Sequence, residues 1–131
     1  MTRTLPLLAV LFSLAGCPTT ADRSTLPRLH AAISEEVSGP TVLDEHNHLV
    51  ESVVQSTVLE GMFQQEVQDA LGRGTECGTR ELCAQHGFRP TDWTYDVGYA
   101  PGHPDLPAGP TLVVGFDRTG RVINTYYQVR H

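Results

Sequence analysis

The spacing of apolar residues changes once along this chain, and that change decides the fold class. Between residues 41 and 72 the apolar positions recur every three or four residues, and from residue 92 they alternate. In TVLDEHNHLVESVVQSTVL (41–59), Leu43, His46, Val50, Val53, Val54 and Thr57 fall on one stripe, with Asp44, Glu45, Asn47, Glu51 and Ser52 largely away from it. This predicts an amphipathic helix that Thr41 or Ser38 caps. Met62, Phe63, Val67, Ala70 and Leu71 predict a second, shorter helix. Gly61 breaks it from the first, and Gly72 stops it as a left-handed cap. Leu29, Ile33 and Val37 repeat every four residues and predict a short helix over 29–38, ended by Gly39-Pro40. The strand signals follow. DWTYDVGY sets Trp93, Tyr95, Val97 and Tyr99 against Asp92, Thr94, Asp96 and Gly98. A proline-rich loop, APGHPDLPAGP, leads to TLVVGF. FDRTGRV reads as a hairpin turn with Gly120 at the positive-φ position, and VINTYYQV closes the sheet. Helices followed by antiparallel strands predict an α+β fold: a two-layer sandwich, two helices packed on a three-stranded antiparallel sheet (ααβββ). Met62, Val67 and Leu71 are expected to pack against Trp93, Val114 and Phe116. Residues 73–91 are expected to be a long irregular loop.

Ahead of the domain lies the most apolar run of the chain, LPLLAVLFSLAGCPTT (5–20). From Leu5 to Gly16 it is 12 residues long, against the roughly 20 that a membrane-spanning helix needs. Arg3, the apolar core and Ala15-Gly16 fit a signal peptide instead. Leu14-Ala15-Gly16-Cys17 resembles the lipobox of bacterial lipoproteins. The resemblance implies cleavage before Cys17, a diacylglyceryl group on its thiol and an acylated new N-terminus. Several acyl chains anchor stably, since each buried methylene contributes about 0.8 kcal/mol. The expected organisation is therefore a signal peptide over 1–16, a lipidated Cys and flexible tether over 17–40, and one domain over 41–131. PTTADRSTLPR (18–28), polar with two prolines, suits the tether.

Charge narrows the partners. The chain has nine Arg and no Lys against fifteen Asp plus Glu, a formal charge of −6. Without residues 1–16, eight Arg remain against the same fifteen acids, a formal charge of −7. No basic patch is visible in the sequence, so nucleic acid is not an expected partner, and neither is a membrane held by polybasic attraction. The membrane is expected as a partner through the lipid anchor alone.

With Cys17 assigned to lipid, Cys77 and Cys83 remain as an even pair in an exported chain. CGTRELC puts five residues between them, and Gly78 allows the tight turn. A disulfide is expected. No CxxC motif is present, and Cys77, Cys83 and His86 have no second close pair to complete a zinc site. His46 and His48 are two residues apart and diverge on a helix; His46 is expected half-buried at the stripe edge and His48 solvated. Neither a metal nor a cofactor is expected. Ser52 and Ser56 lie near these histidines on the same helix, without a nucleophile elbow or an assigned acid. Asp92 and Asp96 read as solvated-face carboxylates. The chain is not expected to be an enzyme, and no catalytic residues are assigned.

One resemblance organises these signals. Gly61-Met62, Glu66-Val67 and Leu71-Gly72 resemble the "GM…V…LG" helix of the SmpA/OmlA (BamE-like) lipoprotein family of the outer-membrane barrel-assembly machine. Trp93-Thr94-Tyr95 is similar to the strand that follows in that family. Leu112–Phe116 and Gly120-Arg121-Val122 are similar to its terminal hairpin. The likeness covers roughly residues 58–124, in order, behind the lipobox. The chain departs from it in carrying Phe63 where members have Ser or Thr, Arg73-Gly74 where they have Pro, and an inserted Cys77–Cys83 segment. The resemblance implies a periplasm-facing, lipid-anchored outer-membrane protein that docks on envelope proteins and assists their assembly. Pro18, in place of a retaining Asp after the lipidated Cys, agrees with the outer membrane. The alternative is a lipid-anchored protein-binding or inhibitor module of the beta-lactamase-inhibitor-like fold that works through an open sheet face. Tyr126 and Tyr127 are adjacent, so one must point away from the helices; they are the expected partner surface.

Overall fold

Proline sets the first turn of the two N-terminal helices. The computed structural model describes residues 23–131, in which α1 spans Thr25–Ile33 and α2 spans Pro40–Gln55. Pro27 sits in the first turn of α1 and Pro40 opens α2, where a missing N–H costs no helical hydrogen bond. Gly39 is the N-cap residue of α2, and neither Ser38 nor Thr41 caps it; the fixed φ of Pro40 does the initiating. The short helix predicted over 29–38 lies earlier, because Leu26, Leu29 and Ala32 are the residues it buries. Part of the stretch expected as tether is thus packed structure, beginning by Thr25. Cys17 and the signal peptide lie outside the described residues.

The third helix, α3 (Gln64–Leu71), buries Val67 and Leu71. Phe63 offers no side-chain acceptor at its start, but the Glu66 carboxylate accepts the Phe63 N–H at 2.9 Å. Gly72 ends the helix with φ +84° and ψ 169°, extended in ψ rather than left-handed helical. The chain then forms β1 (Thr75–Glu76), a one-turn α4 (Glu81–Gln85), β2 (Trp93–Asp96), β3 (Tyr99–Ala100), β4 (His103–Pro107), β5 (Thr111–Phe116) and β6 (Val122–Gln128). The predicted α+β class holds, with helices on an antiparallel sheet. The predicted three strands do not exhaust it: a four-stranded sheet runs β1-β2-β5-β6, and β3 and β4 form a separate two-stranded sheet.

β1 and β4 come from segments read as loops, whereas the strand expected over DWTYDVGY ends at Asp96 and its Tyr99 starts β3 in the other sheet. β1 adds to β2 through the pairs Thr75↔Thr94 and Glu76↔Trp93. The proline-rich stretch turns back on itself at Gly102, whose φ of +76° is the left-handed region, to make the β3–β4 hairpin. That hairpin is tied to the segment after α1, where Val37 N–H donates to Tyr99 O at 2.8 Å and Tyr99 N–H to Glu35 O at 3.1 Å.

The sheet is covered on both faces, so the molecule has three layers rather than two. On one face α1, α2 and α3 bury Leu29, Val50, Val53, Met62, Val67 and Leu71 against Trp93, Tyr95, Leu112, Val114, Phe116 and Val122. The predicted contact set is therefore one cluster, with Trp93 and Phe116 meeting edge to face at 5.1 Å. On the other face Cys77, Cys83 and Phe88 cover Val113. All six residues of β5 are buried, as a central strand packed on both sides requires.

Candidate functional site

The second face is where the sequence signals converge. Cys77 and Cys83 are joined in a disulfide, with sulfurs 2.07 Å apart. The bond closes the segment that carries α4 over the sheet, and residues 73–91 are accordingly an ordered layer, not an irregular loop. His86, at the end of α4, stacks on Tyr126 with ring centroids 3.9 Å apart. Tyr126 lies opposite Val113 on β5 and packs on the disulfide cluster. Tyr127 lies opposite Leu112 and packs against the helix-side core. Its hydroxyl donates to Glu51 Oε2 at 3.0 Å, and that hydrogen bond raises its pKa above the usual phenol value. The two tyrosines are thus half-buried on opposite faces, each with a ring or carboxylate partner, and do not form one surface.

Two polar arrangements pin the covering layer. Asp92 is only 3 % exposed. Its carboxylate accepts the N–H of Arg89 at 2.7 Å and that of Phe116 at 3.0 Å. Asp96 is half-buried, with Arg80 Nη2 3.1 Å from Oδ1 and Thr111 Oγ1 donating to the same oxygen at 2.8 Å. Neither is the solvated carboxylate expected from strand alternation. The alternation correctly puts them opposite Trp93 and Tyr95, but the face they share is covered, and burial demands partners. Arg80 and Arg89, both unassigned in the sequence reading, supply them. Arg80 sits inside CGTRELC, and a cation within the expected disulfide loop is the signal the sequence offered.

The helical candidates separate. His46 is not at a stripe edge but buried, 2 % exposed. Its Nδ1 lies 3.2 Å from Val97 O and its Nε2 2.5 Å from Glu35 Oε1. Gly98, at φ +102°, completes this corner: a Cβ there would meet Val37 Cγ2 at 2.6 Å and His46 Nδ1 at 2.7 Å. His48 is exposed, 3.6 Å from Glu51. Ser56 Oγ donates to Val53 O. His46 is thus spent on a backbone oxygen and a glutamate rather than on a serine. Among the described residues, no three His, Cys, Asp or Glu side chains gather as a metal site. No helix there is long and apolar enough to cross a membrane.

An open groove of about 540 Å³ runs between β1, β2 and the β3–β4 hairpin, lined by Arg73, Thr75, Asp96, Tyr99 and Asp105 among others. Tyr95 forms part of its wall and donates its hydroxyl to Gly72 O at 2.7 Å. Burial pushes the Tyr95 phenol well above its ordinary pKa, against the smaller opposing effect of a backbone hydrogen bond. The groove offers mixed charge and hydroxyls. No family model, curated protein or solved structure matches the chain.

Proposed function

We propose that this chain is a lipid-anchored envelope protein, held at the outer membrane through Cys17 and facing the periplasm. It serves as a non-enzymatic docking factor in the assembly of other envelope proteins. The carrying observation is the lipobox, Leu14-Ala15-Gly16-Cys17, upstream of a domain stapled by a disulfide. A disulfide persists in the oxidising compartment to which such a leader delivers a protein. The likeness of Gly61–Gly72 and Trp93–Tyr95 to the SmpA/OmlA family supports the assembly role. An inhibitor-like module acting through an open sheet face is the weaker alternative, since Val113 and Thr94 on that face are buried. Affinity capture of the envelope from cells carrying a tagged chain tests the proposal. Recovery of outer-membrane barrel-assembly components is expected. Recovery of a single enzyme in their place would favour the inhibitor reading.

A further inference from the structure

The corner where α2 meets the β2–β3 connection holds a ring between two oxygens of one kind. His46 is buried, with Nδ1 3.2 Å from Val97 O and Nε2 2.5 Å from Glu35 Oε1. A carbonyl and an ionised carboxylate both accept hydrogen bonds, and neither donates. A neutral imidazole has one N–H, so it satisfies one of these oxygens and turns a lone pair on the other. The ring has little room to turn away, since even a Cβ on Gly98 would come within 2.7 Å of Nδ1. Both contacts are hydrogen bonds only when the pair holds one further proton. On the ring, that proton gives two N–H donors. On Glu35, it gives an O–H that donates to Nε2 while Nδ1–H donates to Val97 O. The closed corner thus binds a proton that belongs to the pair rather than to either residue. The Glu35 side chain is 57 % exposed, so solvent can supply and remove it.

The same corner carries the β3–β4 hairpin. Gly98 N–H donates to Ile33 O at 3.1 Å, Tyr99 N–H to Glu35 O at 3.1 Å and Val37 N–H to Tyr99 O at 2.8 Å. Glu35 therefore holds the hairpin through its backbone and the ring through its side chain. Tyr99, Pro104, Asp105 and Pro107 of the hairpin form one wall of the groove beside β2. We propose that His46 and Glu35 form a proton-dependent latch on this hairpin. It is closed while the pair holds the shared proton. When the proton leaves, an acceptor faces an acceptor in a buried place, and the hairpin and its groove wall loosen. The other charged groups around the corner are engaged elsewhere or exposed. Glu36 accepts Gly102 N–H at 3.4 Å, and Arg130 of the C-terminal segment donates to Gly109 O at 2.9 Å. On α2, His48 pairs with Glu51 while Asp44 and Glu45 are exposed, as are His103 and Asp105 on β4.

Hydrogen exchange of the full chain in detergent from about pH 5 to 9, corrected for the intrinsic pH dependence of exchange, tests this. Protection of the Val37, Gly98 and Tyr99 amides is expected to fall about tenfold or more as pH rises. The amides of Val50 and Val53 are expected to keep theirs. The fall should share its midpoint with the His46 ring signals in NMR. Glu35→Gln is the deciding variant. Its carboxamide donates to Nε2 while Nδ1–H donates to Val97 O, so the corner closes without the extra proton. Protection is expected to stay high and flat across the range. His103→Ala is expected to keep the wild-type dependence. Flat protection in the wild type overturns the proposal. So does a folded Glu35→Gln variant with the wild-type dependence, or loss of that dependence in His103→Ala. Should Glu35→Gln fail to fold, the wild type still decides: different midpoints for the hairpin amides and the His46 ring overturn the latch, and a shared midpoint upholds it.

Discussion

At the scale of single residues, the informative positions are polar and buried. Asp92 receives two backbone N–H groups, from Arg89 and Phe116, and so ties the covering layer to β5. Asp92→Ala leaves both donors without their acceptor in a closed environment. The expected loss is roughly 2–4 kcal/mol in urea unfolding, with Asp92→Asn retaining part of it. Tyr95 gives a pH signature. Burial raises its folded-state pKa above the unfolded value of about 10. Above that pH the unfolded chain releases the proton while the folded chain keeps it. Its contribution is therefore complete below about pH 10 and is lost as pH rises further. Chemical denaturation at stepped alkaline pH should show this decline, and Tyr95→Phe, with no proton to lose, should flatten it. Asp117 acts in the opposite range. Thr119 and the backbone of the β5–β6 turn hold its carboxyl below the ordinary value. That contribution stands above the unfolded carboxylate range and falls away in acid.

At the scale of elements, the helix-to-strand order was legible because period 3.6 and period 2 are written directly in the apolar positions. Val50, Val53, Val67 and Leu71 on one side, and Trp93, Tyr95, Leu112 and Val114 on the other, are where those periods place them. The third layer was not legible. Its own core is small, Cys77, Cys83 and Phe88 over Val113, and its helix is five residues long, too short to show a period. What builds it is long-range pairing, Thr75 to Thr94 and Arg80 to Asp96, which no local spacing announces. β1 is two residues long and carries no alternation, and β4, HPDLP, has two prolines and one large apolar residue, so it reads as a loop. The layer's dependence on its staple is measurable. The loop between Cys77 and Cys83 is short, so reduction removes only about 2 kcal/mol by loop entropy. Reduction should therefore release the layer before the rest. Amides of residues 75–88 should exchange faster in hydrogen exchange, while those of Val50 and Val53 stay protected. Uniform acceleration across both regions would mean that the two layers unfold together.

At the scale of the whole molecule, few residues separate the proposed anchor from the folded domain. Thr25 already belongs to α1, eight positions after Cys17. Even a fully extended chain across that interval reaches no more than about 30 Å. Lipidation at Cys17 would therefore keep the domain at the membrane surface, where an assembly factor must meet its clients. Palmitate labelling should mark the wild type and not Cys17→Ser; equal labelling would remove the anchor. The role is tested by deletion, which should lower the level of folded outer-membrane barrels and raise sensitivity to large antibiotics. Trp93→Ala supplies the folding control. Trp93 is buried between the helices and Phe116, and its truncation should cost about 3–5 kcal/mol. A domain of this size has only about 5–15 kcal/mol in total, so the variant should copy the deletion. His48→Ala and Ser52→Ala, exposed changes on α2, should not. His46→Ala belongs with Trp93→Ala, because its ring is buried between Val97 O and Glu35. A deletion strain with normal barrel levels and normal antibiotic exclusion would end the assembly reading while leaving the lipid anchor, tested separately, in place.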